Sequence, residues 1–128
     1  MNISQAPKYA TLAADMAYGD ERREPDTQTV KSYLEMFKDL YLLTDLEGWE
    51  PPLRAKSRVR TKPKRYFVDP SLPAAVLGAA PNTLMRDTQT LGDLFETLCI
   101  RDLNVYLSAM PGAGNRIAYY RDDKGLEV

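Results

Sequence analysis

Apolar side chains recur every three or four residues after Thr27, and this spacing predicts an amphipathic helix with one face on a core. Asp26 or Thr27 can accept the free N–H groups of its first turn. An apolar run at residues 40–46 and an aromatic, β-branched run at residues 65–69 predict two strands. The predicted apolar stripe of the helix consists of Val30, Tyr33, Leu34, Phe37, Leu40 and Tyr41.

Further patterns predict short helices on both sides of this unit. They fall at residues 11–18 and 72–77, with a turn or partial helix at residues 20–25 and another turn at Asn82 or Thr83. A long helix is predicted at residues 90–109, and its apolar residues cover so much of its circumference that we expect burial on two sides. Residues 116–121 predict a strand, residues 122–125 a hairpin turn, and residues 126–128 a returning strand.

A helix followed by a two-stranded ribbon with a long tip is typical of a winged helix-turn-helix. At 128 residues, with 44% hydrophobic and 27% charged side chains, the chain has the composition of a small globular protein. It contains no apolar run of the roughly 20 residues that a bilayer requires, and no secretory signal is visible. We therefore expect a cytoplasmic protein with no membrane partner.

The sequence has no histidine and one cysteine, which limits the chemistry that the chain can perform. Internal disulfides, the usual zinc sites and catalysis by imidazole are all excluded. Cys99 lies in the long apolar helix, and we expect a buried structural thiol there.

Positive charge is concentrated in one segment, although the formal net charge is only −1. Side chains two residues apart share a face of an extended strand, so alternating cations would form a single row. This pattern favours contact with a polyanion or an acidic protein surface, while a solvated wing that protects a sheet edge is the simpler alternative. The row consists of Arg54, Lys56, Arg58, Arg60, Lys62 and Lys64, and Arg65 follows it without an intervening acid.

The first half of the helix after Thr27 offers a second set of candidate contacts. In a winged helix-turn-helix, this half of the third helix meets the nucleic acid. The polar residues that it would present are Gln28, Thr29, Lys31 and Ser32. Glu35 and Asp39 on the same helix oppose contact with phosphate, so the helix alone is a weak signal.

Four strings carry a family resemblance: TVKSYLEMFKDLYLLTDLEGW, PKRYFVDPSLPAAVLG, LGDLFETLCIRDLNVY and YYRDDKGLEV. Together they resemble the C-terminal domain of unknown function that follows the nucleotide-binding module in predicted prokaryotic AAA-type ATPases. The resemblance implies an α+β fold: a winged helix-turn-helix at residues 1–70, followed at residues 71–128 by helices and the first hairpin of an incomplete restriction-endonuclease-like α/β domain.

The same resemblance implies weak catalytic candidates at Glu96 and Glu127, on the helix and on the strand motif of a nuclease-like domain. The simpler alternative for Glu96 is a glutamate at the edge of the buried face of its helix, paired with Arg101 or with backbone. The further aspartate and the E-x-K strand of that pattern would lie beyond Val128, so we expect a fragment without a metal site. No G-x-x-x-x-G-K-[ST] phosphate loop is present, and we expect neither ATPase activity nor a cofactor.

Three hypotheses about function follow. The first is a non-enzymatic winged-helix module that binds DNA through Gln28 to Ser32 and the basic row. The second is a docking domain for the ATPase module or a neighbouring subunit, and the third is a truncated, inactive nuclease-like domain. The apolar helix at residues 91–109 also predicts a homo-oligomer.

Overall fold

A computed structural model describes residues 7–17, 24–49, 62–112 and 117–121. Five helices and a two-stranded antiparallel sheet lie within these ranges, which confirms the α+β class. The helices are α1 (Tyr9–Ala17), α2 (Thr27–Asp39), α3 (Ser71–Val76), α4 (Pro81–Leu84) and α5 (Thr88–Ser108), and the strands are β1 (Leu43–Leu46) and β2 (Lys64–Phe67).

Two helices begin at aspartate caps. The Asp26 side chain accepts a hydrogen bond from the Thr29 N–H at 2.8 Å, as the sequence predicts for the start of α2. The Asp87 side chain does the same for α5, accepting from the N–H and the hydroxyl of Thr90 at 3.1 and 2.7 Å. Because the cap is Asp87, α5 begins at Thr88, two residues earlier than predicted.

The turn after α2 corrects the predicted start of the first strand. The Leu42 N–H bonds to the Phe37 carbonyl and the Tyr41 N–H to the Lys38 carbonyl, which is the Schellman pattern of a helix end. Tyr41 occupies the left-handed position of this turn with φ of 57°. Leu40 and Tyr41 therefore close the helix and are exposed, so β1 starts only at Leu43. Tyr33 and Phe37 are exposed as well, so of the predicted α2 stripe Val30 is buried and Leu34 half-buried.

The small core lies between the sheet, α5 and the segment at residues 117–121. Leu46, Tyr66 and Tyr119 are buried together, and Ile100 and Ile117 pack against them. At the other end of the molecule α1 packs on α2, where Ala13 and Val30 are buried. Ala13 has only a methyl side chain, which allows the two helices to approach closely.

Helix α5 is less buried than its apolar sequence predicts. Leu94 and Thr97 are its buried side chains, whereas Cys99 is only half-buried. The prediction of burial on two sides is wrong for this structure, since several large apolar side chains lie at the surface. These are Leu91, Phe95, Leu103, Val105 and Tyr106.

The segment at residues 117–121 makes a parallel bridge between Tyr119 and Gly48. The predicted hairpin turn and returning strand at residues 122–128 lie outside the described residues, as does most of the predicted turn at residues 20–25. The proposed division at residue 70 stays a prediction, although Tyr66 and Asp69 bond to α5 across it.

Candidate polyanion-binding site

The arm at residues 50–61 connects β1 to β2 and contains Arg54, Lys56, Arg58 and Arg60, all of which lie outside the described residues. Both ends of this arm are held by one residue, Tyr119. Its N–H donates to the Glu47 carbonyl at 3.1 Å, and its own carbonyl accepts from the Trp49 N–H at 2.8 Å. Its hydroxyl donates to the Lys62 carbonyl at 2.6 Å. The residues on either side of the arm, Trp49 and Lys62, are therefore both bonded to the same residue.

A recess of about 270 Å³ lies at the end of the arm that enters β2. Three of its six lining residues are cations, Lys8, Lys62 and Arg65, and none is acidic. The others are Pro7, Tyr9 and Pro63. A concave site with this lining favours an anionic group such as a phosphate.

Arg65 differs from the other two cations because it has an acidic partner. Its Nε lies 3.2 Å from the Asp45 carboxylate, and Lys38 bonds to the other oxygen of the same carboxylate. Asp45 is directly opposite Arg65 in the antiparallel pair, where unlike charges stabilise the sheet. The ion pair with Asp45 therefore fixes Arg65 in the wall of the recess and partly compensates the charge of Arg65.

Lys64 does not extend the row of solvated cations that the alternating sequence predicts. Its Nζ lies 3.4 Å from Glu96 Oε1 and 5.4 Å from the centre of the Tyr119 ring. The ammonium is thus engaged by a carboxylate and by an aromatic face. Lys62, in contrast, is exposed.

Glu96, the predicted nuclease-like carboxylate, takes part in this same contact. Its Oε1 also accepts the Tyr66 hydroxyl at 2.7 Å. We expected Arg101 or backbone as its partner, and that expectation is wrong, because Arg101 bonds instead to Asp69 at 2.7 Å and Asp102 at 2.9 Å. Glu127 lies outside the described residues.

The residues of α2 that are predicted to contact a ligand lie outside the recess. Gln28, Lys31 and Ser32 are exposed, and Thr29 is half-buried. The Lys31 ammonium lies 3.7 Å from Glu35, one helical turn away, and the Ser32 hydroxyl donates to the Thr29 carbonyl. None of the four lines the recess.

Neither a metal-binding cluster nor a membrane-spanning helix is found in the part of the chain that the structure describes. No group of three or more acidic or cysteine side chains there is arranged to hold a metal ion. Among the same residues, no helix combines the length and apolarity needed to cross a bilayer.

Sequence reasoning missed two residues of this site. Lys8 is far from the basic row in the chain, and nothing in its local sequence distinguishes it from any exposed lysine. Tyr119 appears in the sequence only as part of a predicted strand, which gives no sign that its hydroxyl and backbone hold the arm.

The structure thus defines a small α+β protein with a helix pair, a two-stranded sheet and a basic arm. The chain belongs to the family described as "Domain of unknown function (DUF8612)", which it matches over residues 1–83. The match includes α1, α2, the arm and both strands. No curated protein and no solved structure matches the chain.

Proposed function

We propose that this chain is a non-enzymatic binding module that holds nucleic acid by its phosphates, using the basic arm and the recess beside it. The observation that supports this proposal is the acid-free lining of the recess at the root of the arm, to which Lys8 and Lys62 both contribute. A nucleic-acid strand with one phosphate in the recess would place its next phosphates at the cations of the arm. In line with the resemblance to a C-terminal ATPase domain, the parent protein would bring its ATPase module to the nucleic acid.

The proposal includes a winged helix-turn-helix, with α2 as the recognition helix and the two strands and their arm as the wing. The antiparallel register of β1 and β2 and their position directly after α2 support this assignment. Gln28, Lys31 and Ser32 would then add contacts on a second surface. Because phosphate contacts would dominate, binding should be salt-sensitive and nearly independent of base sequence.

Fluorescence anisotropy with a labelled DNA duplex at low and near-physiological salt tests this function. The double variant Arg58→Ala/Arg60→Ala should weaken binding and reduce the dependence on salt by about two released counterions. Arg86→Glu is the control, because it changes the net charge by the same amount in the turn before α5, outside the recess and the arm. Equal losses of DNA affinity in both variants, or no binding by the unmodified chain at low salt, would overturn the proposal.

Protein docking is the second candidate, and the exposed apolar surface of α5 favours it. Phe95 is 63% exposed, Tyr106 is 61% exposed and Leu103 is 49% exposed, so several large apolar side chains of this helix lie at the surface. We propose a second copy of the chain as the occupant, because identical apolar surfaces can pack across a two-fold axis. Sedimentation velocity should then show a dimer that Phe95→Ser/Tyr106→Ser dissociates, whereas a monomer at all concentrations would contradict it.

A further inference from the structure

An aromatic pair lies beside the root of the basic arm. Trp49 is the last described residue before the arm, and it is 49% exposed. Tyr120 follows the residue that holds the arm, and it is 43% exposed. Their ring centres are 6.0 Å apart with an angle of 58° between the planes. Both rings therefore leave much of their surface accessible to a ligand.

A main-chain hydrogen bond ties together the two segments that carry these rings. The Trp49 N–H donates to the carbonyl of Tyr119, the residue directly before Tyr120. Tyr119 itself is 7% exposed and forms part of the core. Two aromatic side chains on a fixed base would lose little conformational freedom when a ligand stacks on them.

Tyr119 is bonded both to the aromatic pair's side of the arm and to the side that carries the cations. Tyr119 bonds through its backbone to the Trp49 side of the arm and through its hydroxyl to Lys62. Lys62 lines the basic recess with Lys8. Exposed aromatic faces beside a basic surface are the combination with which proteins bind unpaired nucleotides, since the cations contact phosphates and the rings stack on bases.

An acidic group lies beside Trp49 and indicates which part of the ligand faces it. Glu47 is exposed and lines a second recess with Trp49 and Asn104, whereas the Asp45 carboxylate in the same recess is already bonded to Arg65 and Lys38. Carboxylates repel phosphates but can accept hydrogen bonds from base amino groups. The strand would therefore run with its phosphates toward Lys8 and Lys62 and its bases toward the aromatic pair.

We infer that the site prefers single-stranded nucleic acid, with an unpaired base stacked on Trp49 and Tyr120. This inference rests on the proposed nucleic-acid binding and specifies the class of ligand. In duplex DNA the bases are stacked on each other, so the rings would have no access to them and only the cations would contribute.

Three probes separate stacking from charge: a thymidine oligonucleotide of about 16 nucleotides, a duplex of the same length, and heparin, which is a polyanion without bases. Trp49 is the only tryptophan, so its fluorescence reports directly on the site. We expect quenching by the oligonucleotide and tighter binding of it than of the duplex. Trp49→Ala should weaken oligonucleotide binding about 5- to 100-fold and leave heparin binding unchanged.

Tyr41→Ala is the matched control, because Tyr41 is also aromatic and is 82% exposed but lies in the turn after α2. Tyr120→Ser is a second test of the pair, and retained heparin binding verifies that each variant is folded. Equal binding of oligonucleotide and duplex, or an unchanged affinity in Trp49→Ala, overturns the inference and leaves nucleic-acid binding intact. Failure to bind any of the three probes overturns both.

Discussion

The Tyr66 hydroxyl forms a hydrogen bond that helps to join the sheet to α5. The residue is 1% exposed, and its hydroxyl lies 2.7 Å from Glu96 Oε1, on which the Lys64 ammonium also converges. A hydrogen bond from a buried hydroxyl to a charged acceptor is stronger than a neutral one, but partial exposure of the carboxylate weakens it. The side chain of Glu96 is 41% exposed.

Tyr66→Phe should therefore lower the free energy of unfolding by about 1 kcal/mol, because it removes the donor and keeps the ring in the core. Urea denaturation followed by circular dichroism measures this. Tyr106→Phe is the control, since Tyr106 is 61% exposed on α5. Equal effects of the two changes would show that the contact with Glu96 adds nothing to stability.

Asp69 provides a pH-dependent contact at the beginning of α3. Hydrogen bonds from Ser71, together with the nearby Arg101 guanidinium, lower the pKa of Asp69 from 3.8 to about 2. A lowered pKa in the folded state means that the carboxylate stabilises the fold above pH 3.8, and that this contribution is lost as the pH falls toward about 2.

We expect Asp69→Asn to remove this contribution and flatten the pH dependence of unfolding in that interval. The midpoint of the Asp69 carboxyl carbon shift in an NMR titration gives the pKa directly. Asp39→Asn is the control for loss of one negative charge, since Asp39 is exposed at the end of α2. An Asp69 midpoint near 3.8, its ordinary value, would contradict the assignment.

For single residues, the sequence identifies which side chains are charged but not what they contact. Alternation predicts that Lys62 and Lys64 share one solvated row, yet Lys64 is engaged by Glu96, which lies 32 residues away. Such a pair depends on how β2 packs against α5. Local periodicity contains no information about that packing, and for the same reason Arg101 was assigned to the wrong carboxylate.

Helix boundaries are predicted well where a residue typical of a helix end occupies the boundary. Asp26 signals the start of α2 because its carboxylate accepts an N–H of the first turn. The end of α2 was missed because the left-handed position is occupied by Tyr41, whereas a glycine would have marked it. Helix α3 has that glycine, and Gly78 closes it with φ of 58°.

The two helix ends allow a reciprocal test of backbone strain. Tyr41→Gly should raise the free energy of unfolding by about 0.5–1 kcal/mol, because glycine adopts positive φ without the steric cost that a Cβ imposes. Gly78→Ala should lower it by a similar amount, since a Cβ there meets nothing within 4 Å and only the backbone conformation is affected. Thermal denaturation of both variants measures the difference. Changes of the same sign would show that side-chain contacts decide these positions.

For the whole molecule, the mixed helical and strand content follows from the sequence, whereas the construction of the binding site does not. In the site, the N-terminal residue Lys8 and Lys62 line the same recess. Tyr119 bonds to Lys62 although the two residues are 57 positions apart in the chain. Contacts of this range arise only when the whole chain packs, so the site predicted from the sequence included neither Lys8 nor Tyr119. The charged segment itself was evident because alternation is local.

Lys8 therefore tests the assembled site and not only the basic sequence. Lys8→Ala should reduce affinity for nucleic acid and lower the dependence of log K on log salt by about one counterion, because the recess would lose one of its three cations. Arg86→Ala removes the same charge outside the recess and should leave the slope unchanged. Anisotropy titrations of both variants over a series of salt concentrations measure the two slopes. If Lys8→Ala retains the slope of the unmodified chain while Arg58→Ala/Arg60→Ala reduces it, the arm binds without the recess.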